Sequence, residues 1–159
     1  MIKVLFVCLG NICRSPSADA MLRKKVAELG LQERVVVDSS GTANWHVGKQ
    51  PDERSIQHGA KRGYDLTVLR ARQACSDDFN EFDYVLAMDA DNLKNLQAIM
   101  PASPRTQPQL FLKAFGTSTE HEVPDPYYGG EAGFEHVLDL LEQACDALLV
   151  DIQQRLSLS

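Results

Sequence analysis

Residues 2–8, Ile-Lys-Val-Leu-Phe-Val-Cys, form a nearly unbroken apolar run that ends at Cys8-Leu9-Gly10-Asn11. A run of this length closed by turn residues predicts a strand buried on both faces and feeding a turn. The periodicity then changes. After Ser15-Pro16, Ala18, Leu22, Val26 and Leu29 recur at three- and four-residue spacing before Gly30. That pattern predicts a helix capped at Ser15, with a first-turn proline and a glycine stop. Val35-Val36-Val37 predicts a second strand, followed by a loop over Ser39–Pro51 and a helix near Asp52–Arg62 that stops at Gly63. Phe82–Met88 predicts a third strand, Asp91–Met100 a helix before Pro101, and Gln109–Leu112 a candidate fourth strand. Phe134, Val137, Leu141, Cys145, Leu148, Ile152 and Leu156 mark one face of a long closing helix.

Strands alternating with helices imply an α/β fold, a parallel sheet with helices on both faces. Ligands of such sheets bind beyond the carboxyl ends of the strands, and the segment after Cys8 lies at one. No internal repeat, low-complexity tract or linker divides the chain, so residues 1–159 are expected to form one domain. The long loop Lys113–Tyr128, which holds Asp125, is expected to be functional.

Composition narrows the chemistry. Sixteen basic residues against 22 acidic ones, a net charge of -6, leave no electrostatic footprint for nucleic acid. An acidic chain that holds an anion must do so with local, oriented donors. The apolar N-terminal run is too short for a signal segment, and no stretch approaches the roughly 20 apolar residues of a membrane span. The expectation is a cytoplasmic protein without a membrane partner. Cys8, Cys13, Cys75 and Cys145 are too few and too unevenly spaced for a disulfide scaffold, and neither CxxC nor HExxH occurs. No metal and no cofactor is expected. His46, His58, His121 and His136 share no spacing, and Glu120-His121-Glu122 reads as a solvated segment.

The chemistry concentrates in Cys8-Leu9-Gly10-Asn11-Ile12-Cys13-Arg14-Ser15. A loop that opens into a helix directs unpaired N–H groups and the positive end of the helix dipole at one anion, and phosphate fits that ring. Gly10 and Asn11 are residue types that tolerate the left-handed angles needed to turn the amides inward. Arg14 adds a planar fork suited to two equatorial phosphate oxygens. The same donors favour a Cys8 thiolate, and Ser15 can donate its hydroxyl to it, so nucleophile and cradle share one loop. Cys13 is either a small buried thiol or a redox partner of Cys8.

Attack on phosphorus leaves an alkoxide or phenoxide that needs a proton. Asp125, held between Pro124 and Pro126, is the candidate acid, and a bound phosphate dianion beside it would keep it protonated until transfer. Trp45, the only tryptophan, stands in a loop and is placed to stack on an aromatic leaving group.

These segments resemble the low-molecular-weight protein tyrosine phosphatase family over nearly the whole chain. The match runs through Val7–Pro16, Ser40-Gly41-Thr42 with Trp45-His46-Val47-Gly48, Ala71-Arg72-Gln73, Phe82-Asp83-Tyr84 with Met88-Asp89, and Asp125–Gly129. The resemblance implies a four-stranded parallel sheet and metal-free hydrolysis of phosphotyrosine. It implies Cys8 as nucleophile, Arg14 as transition-state binder and Asp125 as general acid. Leu9, Gly10, Asn11, Ile12, Cys13 and Ser15 would form the phosphate loop, Asn11 and Ser15 organising it. Leu9, Ile12, Trp45, Tyr127 and Tyr128 would line the mouth. The partner would be a tyrosine-phosphorylated protein, a tyrosine kinase among the candidates, with inorganic phosphate as product and the enzyme a monomer or weak dimer. One position departs: many members carry a histidine that braces the loop asparagine, and Leu69 stands there. A thioredoxin-coupled arsenate reductase of similar fold is an alternative, but it relays a disulfide through neighbouring cysteines, and Cys75 and Cys145 are far apart in sequence. A phosphate-binding or redox-sensing module without turnover is the other alternative, set against the joint presence of Cys8, Arg14 and Asp125.

Overall fold

A computed structural model describes residues 1–117 and 119–158, the side chain of Tyr128 excepted. The chain runs β1 (Ile2–Cys8), α1 (Arg14–Glu28), β2 (Val35–Gly41), α2 (Glu53–Lys61), α3 (Asp78–Glu81), β3 (Tyr84–Ala87), α4 (Ala90–Ile99), β4 (Pro108–Leu110), α5 (Phe111–Phe115), a 3-10 turn at Pro126–Tyr128, and α6 (Gly130–Ser157). The strands form one four-stranded parallel sheet in the order β2-β1-β3-β4.

Alternate residues of β1 and β3 bury themselves in opposite layers, as the period-2 geometry of strands requires. Val4, Phe6, Tyr84 and Leu86 meet Met21 and Leu22 of α1 and Leu141, Cys145 and Leu148 of α6. On the other face Leu5, Val7, Val85 and Ala87 meet Phe79 of α3, Phe82 directly after it, and Leu96 of α4. Phe6 sets its ring edge-on to Phe111, centroids 5.1 Å apart. Truncating either ring to alanine is expected to cost about 3–5 kcal/mol.

α1 stops where the sequence reading places its stop. Gly30 adopts φ 71°, its N–H donates to the Ala27 carbonyl and the Leu31 N–H to that of Val26, so carbonyls of the last turn are satisfied. Its start differs: the helix begins at Arg14, and the Ser15 hydroxyl bonds into the loop and does not cap the helix.

Further boundaries depart from the sequence reading: β3 is confined to Tyr84–Ala87, and the short helix α3 precedes it unannounced. β2 continues through Ser39, Ser40 and Gly41, polar residues that enter the sheet because β1 supplies backbone partners as far as Cys8. β4 ends at Leu110; Phe111 and Leu112, expected in that strand, begin α5 and point into the core. Short apolar runs do not separate a strand from a helical turn. The span Lys113–Tyr128 is not wholly loop, since it contains the end of α5 and the 3-10 turn.

Candidate active site

The site lies beyond the carboxyl ends of β1 and β3. Cys8 ends β1, and its carbonyl and that of Leu9 accept from the N–H groups of Thr42 and Ala43, both at 2.9 Å. The chain following β2 thus carries the first turn of the loop. Gly41 permits that approach: a Cβ there would stand 2.7 Å from the Leu9 carbonyl oxygen and 3.1 Å from the Asn11 nitrogen. The sequence reading assigned Gly41 no role of its own.

Asn11 adopts φ 56°, the left-handed turn expected of it. Its backbone N–H donates to Cys8 Sγ at 3.3 Å. Its Nδ2 donates to Ser15 Oγ at 2.8 Å, and Ser15 Oγ lies 3.0 Å from Cys8 Sγ and 3.3 Å from the Ser40 carbonyl. Ser15 has one proton to give. With Asn11 filling an acceptor position, the shorter and charge-assisted partner for that proton is the Cys8 sulfur once it is a thiolate. Gly10 does not take left-handed angles, contrary to expectation. It supplies space instead, since a Cβ there would meet the His46 ring at 3.1 Å.

Leu69, which replaces the expected bracing histidine, is buried in the main core. The Asn11 Oδ1 accepts instead from the Arg72 backbone N–H at 3.0 Å. Arg72 is fixed by its own side chain, which donates to Asp38 at 3.1 Å and to both Asp78 oxygens at 3.1 and 3.2 Å. Burial disfavours the Arg72 charge, but Asp78 and Asp38 outweigh it and hold the guanidinium above its ordinary range. Sequence reasoning missed this brace, because it joins residues 61 positions apart.

Arg14 is 3% exposed. Its Nη1 donates to Asp89 Oδ2 at 2.5 Å and to the Val123 carbonyl at 3.0 Å, and its Nη2 lies 3.8 Å from Asp125 Oδ2. Burial opposes the charge, but the Cys8 sulfur and the Asp89 carboxylate hold the guanidinium above its ordinary value. Asp89 also caps α4 by accepting from the Asn92 N–H at 2.8 Å. The Val123 N–H donates to the Met88 carbonyl just beyond β3, which docks the segment holding Asp125 on the sheet. Asp125 Oδ1 then accepts from the Tyr127 N–H at 3.0 Å, starting the 3-10 turn.

These elements enclose a cavity of about 180 Å³. Of the expected site residues, Cys8, Leu9, Gly10, Ile12, Cys13, Arg14, Trp45, Asp125 and Tyr127 line it. Asn11 and Ser15 do not; they lie buried beneath the loop and organise it. The Tyr128 side chain, also expected at the mouth, lies outside the described residues. His46, unassigned in the sequence reading, joins the lining. Trp45 is 67% exposed at the rim, free of the core. Burial pushes the Cys13 thiol up to about 12, so at neutral pH it is a small uncharged group in the wall. Asp125 is the one carboxylate of the lining among the described residues. No three His, Cys, Asp or Glu side chains among the described residues gather in a metal-holding arrangement, and none of the described helices is long and apolar enough to cross a membrane.

The family profile described as low molecular weight phosphotyrosine protein phosphatase matches residues 3–158. A Synechocystis protein carrying a low molecular weight protein-tyrosine-phosphatase name is 48% identical over 158 residues, covering 97% of this chain and 98% of its own. A crystal structure of a protein tyrosine phosphatase from Entamoeba histolytica superposes with a TM-score of 0.91 at 42% identity, covering 97% of this chain and 98% of that one. A crystal structure of a Drosophila arginine phosphatase superposes with a TM-score of 0.87 at 35% identity, covering 95% and 98%.

Proposed function

The chain belongs to the low molecular weight phosphotyrosine protein phosphatase family, and from that premise we propose that Cys8, Arg14 and Asp125 hydrolyse protein phosphotyrosine through a cysteinyl-phosphate. The observation that carries the reading is their convergence, from the ends of β1, α1 and a loop more than a hundred residues later, on one cavity.

The Cys8 thiolate attacks phosphorus while the bond to the tyrosyl oxygen breaks. Loop amides and the Arg14 guanidinium take up the charge on the equatorial oxygens, donors already in place and needing little reorganisation. Asp125 gives its proton to the departing phenoxide. The resulting carboxylate then removes a proton from water, which attacks the cysteinyl-phosphate, and inorganic phosphate leaves with Cys8 again a thiolate stabilised by the Ser15 hydroxyl. Leu9, Ile12, Trp45 and Tyr127 give the cavity apolar and aromatic walls that suit an aryl ester. With Asp125 the one acidic group there among the described residues, the lining offers little to a guanidinium leaving group. All four cysteines are free thiols, which suits a reducing cytoplasmic setting. Residues 1–159 act in this reading as one catalytic domain, whose phosphoprotein substrates include tyrosine kinases among the candidates, and which works as a monomer or weak dimer.

The test compares kcat/KM on matched peptides bearing phosphotyrosine, phosphoserine and phosphoarginine, for wild type, Cys8→Ser and Asp125→Asn. Phosphotyrosine is expected to be the preferred ester, Cys8→Ser to abolish turnover, and Asp125→Asn to lower it by about 10²-fold or more. A preference for phosphoarginine, or turnover retained in Cys8→Ser, would overturn the reading.

A further inference from the structure

The acid-bearing loop is held from outside by α2. Arg54, His58 and Arg62 recur every fourth residue along that helix and so share a face. The face meets the start of α6. The His58 ring stacks on Phe134, centroids 5.3 Å apart, and its Nδ1 bonds Glu135. Arg62 reaches Glu135 and Asp139, each at 2.9 Å, and Glu142. At the near end Arg54 lies over the Phe134 ring at 4.9 Å and the Tyr127 ring at 5.1 Å, and its Nη1 donates to the Tyr127 carbonyl at 3.1 Å.

Asp52 ties the other edge of that guanidinium to the phosphate loop. Its backbone N–H donates to the Ile12 carbonyl at 2.7 Å. Its carboxylate caps α2 by accepting from the Arg54 N–H at 2.9 Å, and it accepts from Arg54 Nε and Nη2 at 3.1 and 3.2 Å. An unbroken series of hydrogen bonds therefore runs from Ile12 through Asp52 and Arg54 to Tyr127, whose own N–H donates to Asp125.

We propose that Asp52 and Arg54 form a strut that sets the distance between the phosphate loop and the Asp125 carboxylate, which makes Arg54 a positioning residue for proton delivery to the leaving oxygen. The inference rests on the reading of Asp125 as the acid. Guanidinium geometry suits this role, because one edge grips Asp52, a remaining N–H reaches Tyr127, and the face stacks on two rings. A lysine supplies the charge but neither the fork nor the face. An exposed ion pair alone would add little. A proton donor, by contrast, acts only within hydrogen-bond reach of its acceptor, so small displacements of Asp125 have large kinetic effects.

The test measures kcat/KM for phenyl phosphate, whose leaving group needs the proton, and for 2,4-dinitrophenyl phosphate, whose leaving group does not, with inhibition by inorganic phosphate alongside. Arg54→Met is expected to lower the phenyl phosphate value about tenfold and the dinitrophenyl value less than about twofold, leaving phosphate inhibition unchanged. Arg54→Lys should behave like Arg54→Met. Equal losses on both esters, weakened phosphate inhibition, or full rescue by lysine would overturn the strut. Asp125→Asn measured in parallel separates the two claims. If it shows the leaving-group dependence and Arg54→Met does not, the strut alone fails; if Asp125→Asn shows none, the acid assignment beneath it fails.

Discussion

The phosphate loop and the acid-bearing loop face each other across one cavity and are built by opposite means. Cys8, Asn11, Arg14 and Ser15 are all buried, and the hydrogen bonds that reach the Cys8 sulfur span at most seven residues, while Thr42, Ala43 and Arg72 brace the loop around it from farther along the chain. Asp125 is 37% exposed at its side chain. Apart from its own turn, it depends on groups remote in sequence: Met88 and Arg14 on Val123, and Arg54 on Tyr127. On the proposed mechanism, the difference follows from what each must do. A cradle that stabilises transition-state charge must be dry and rigid, because water and mobility both weaken oriented dipoles. A proton donor that also activates water must stay in touch with solvent and can be supported from outside.

That contrast breaks first at Asn11. Asn11→Ala is expected to lower kcat/KM by about 10²-fold on good and poor leaving groups alike, since the cradle serves both. Arg72→Met should give a smaller loss, and the double variant little more than Asn11→Ala alone, because one brace acts through the other. Additive losses in kcat/KM would place Arg72 outside the loop's support. A leaving-group dependence in Asn11→Ala would erase the distinction between the two loops.

The buried side extends into α1, where Asp19 is 1% exposed and pairs with Arg23 at 2.9 Å. Burial, only partly offset by Arg23, lifts its carboxyl to about 6 from an ordinary value of 3.8. Between those values the native state holds a proton that the unfolded chain has released, so this group's contribution to stability falls as pH rises from about 4 to about 6. Asp19→Asn, neutral throughout, should flatten that part of the stability curve and gain about 2 kcal/mol at pH 7. Urea titrations at pH 4.5 and 7 would reveal it, and an unchanged difference between the two would refute it.

The smallest effect belongs to the exposed rim. Trp45→Ala is expected to raise KM for aryl phosphates about threefold, with inhibition by inorganic phosphate unaltered. An equal change in both would move Trp45 from contact with the leaving group to support of the loop.

Sequence pattern alone determined the layered α/β plan and the cradle. Apolar runs and helical spacing report burial directly, and the Cys8–Ser15 loop is local enough for its chemistry to be read from residue order. That Asp125 would line the same cavity was legible through its proline-bounded turn and the resemblance that extends beyond it. Tertiary structure decided what stands behind these groups. Phe111 and Leu112 turned into a helix because an apolar run satisfies either element until its partners are known. Leu69 left the loop brace open, and only packing brought the Arg72 N–H to Asn11, held there by Asp38 and Asp78. His46, Gly41 and the Asp52–Arg54 strut lie in segments whose composition is ordinary. Their roles arise from distance in space, which hydrophobic periodicity does not encode, because it reports which face of an element is buried and not which remote backbone group will meet it.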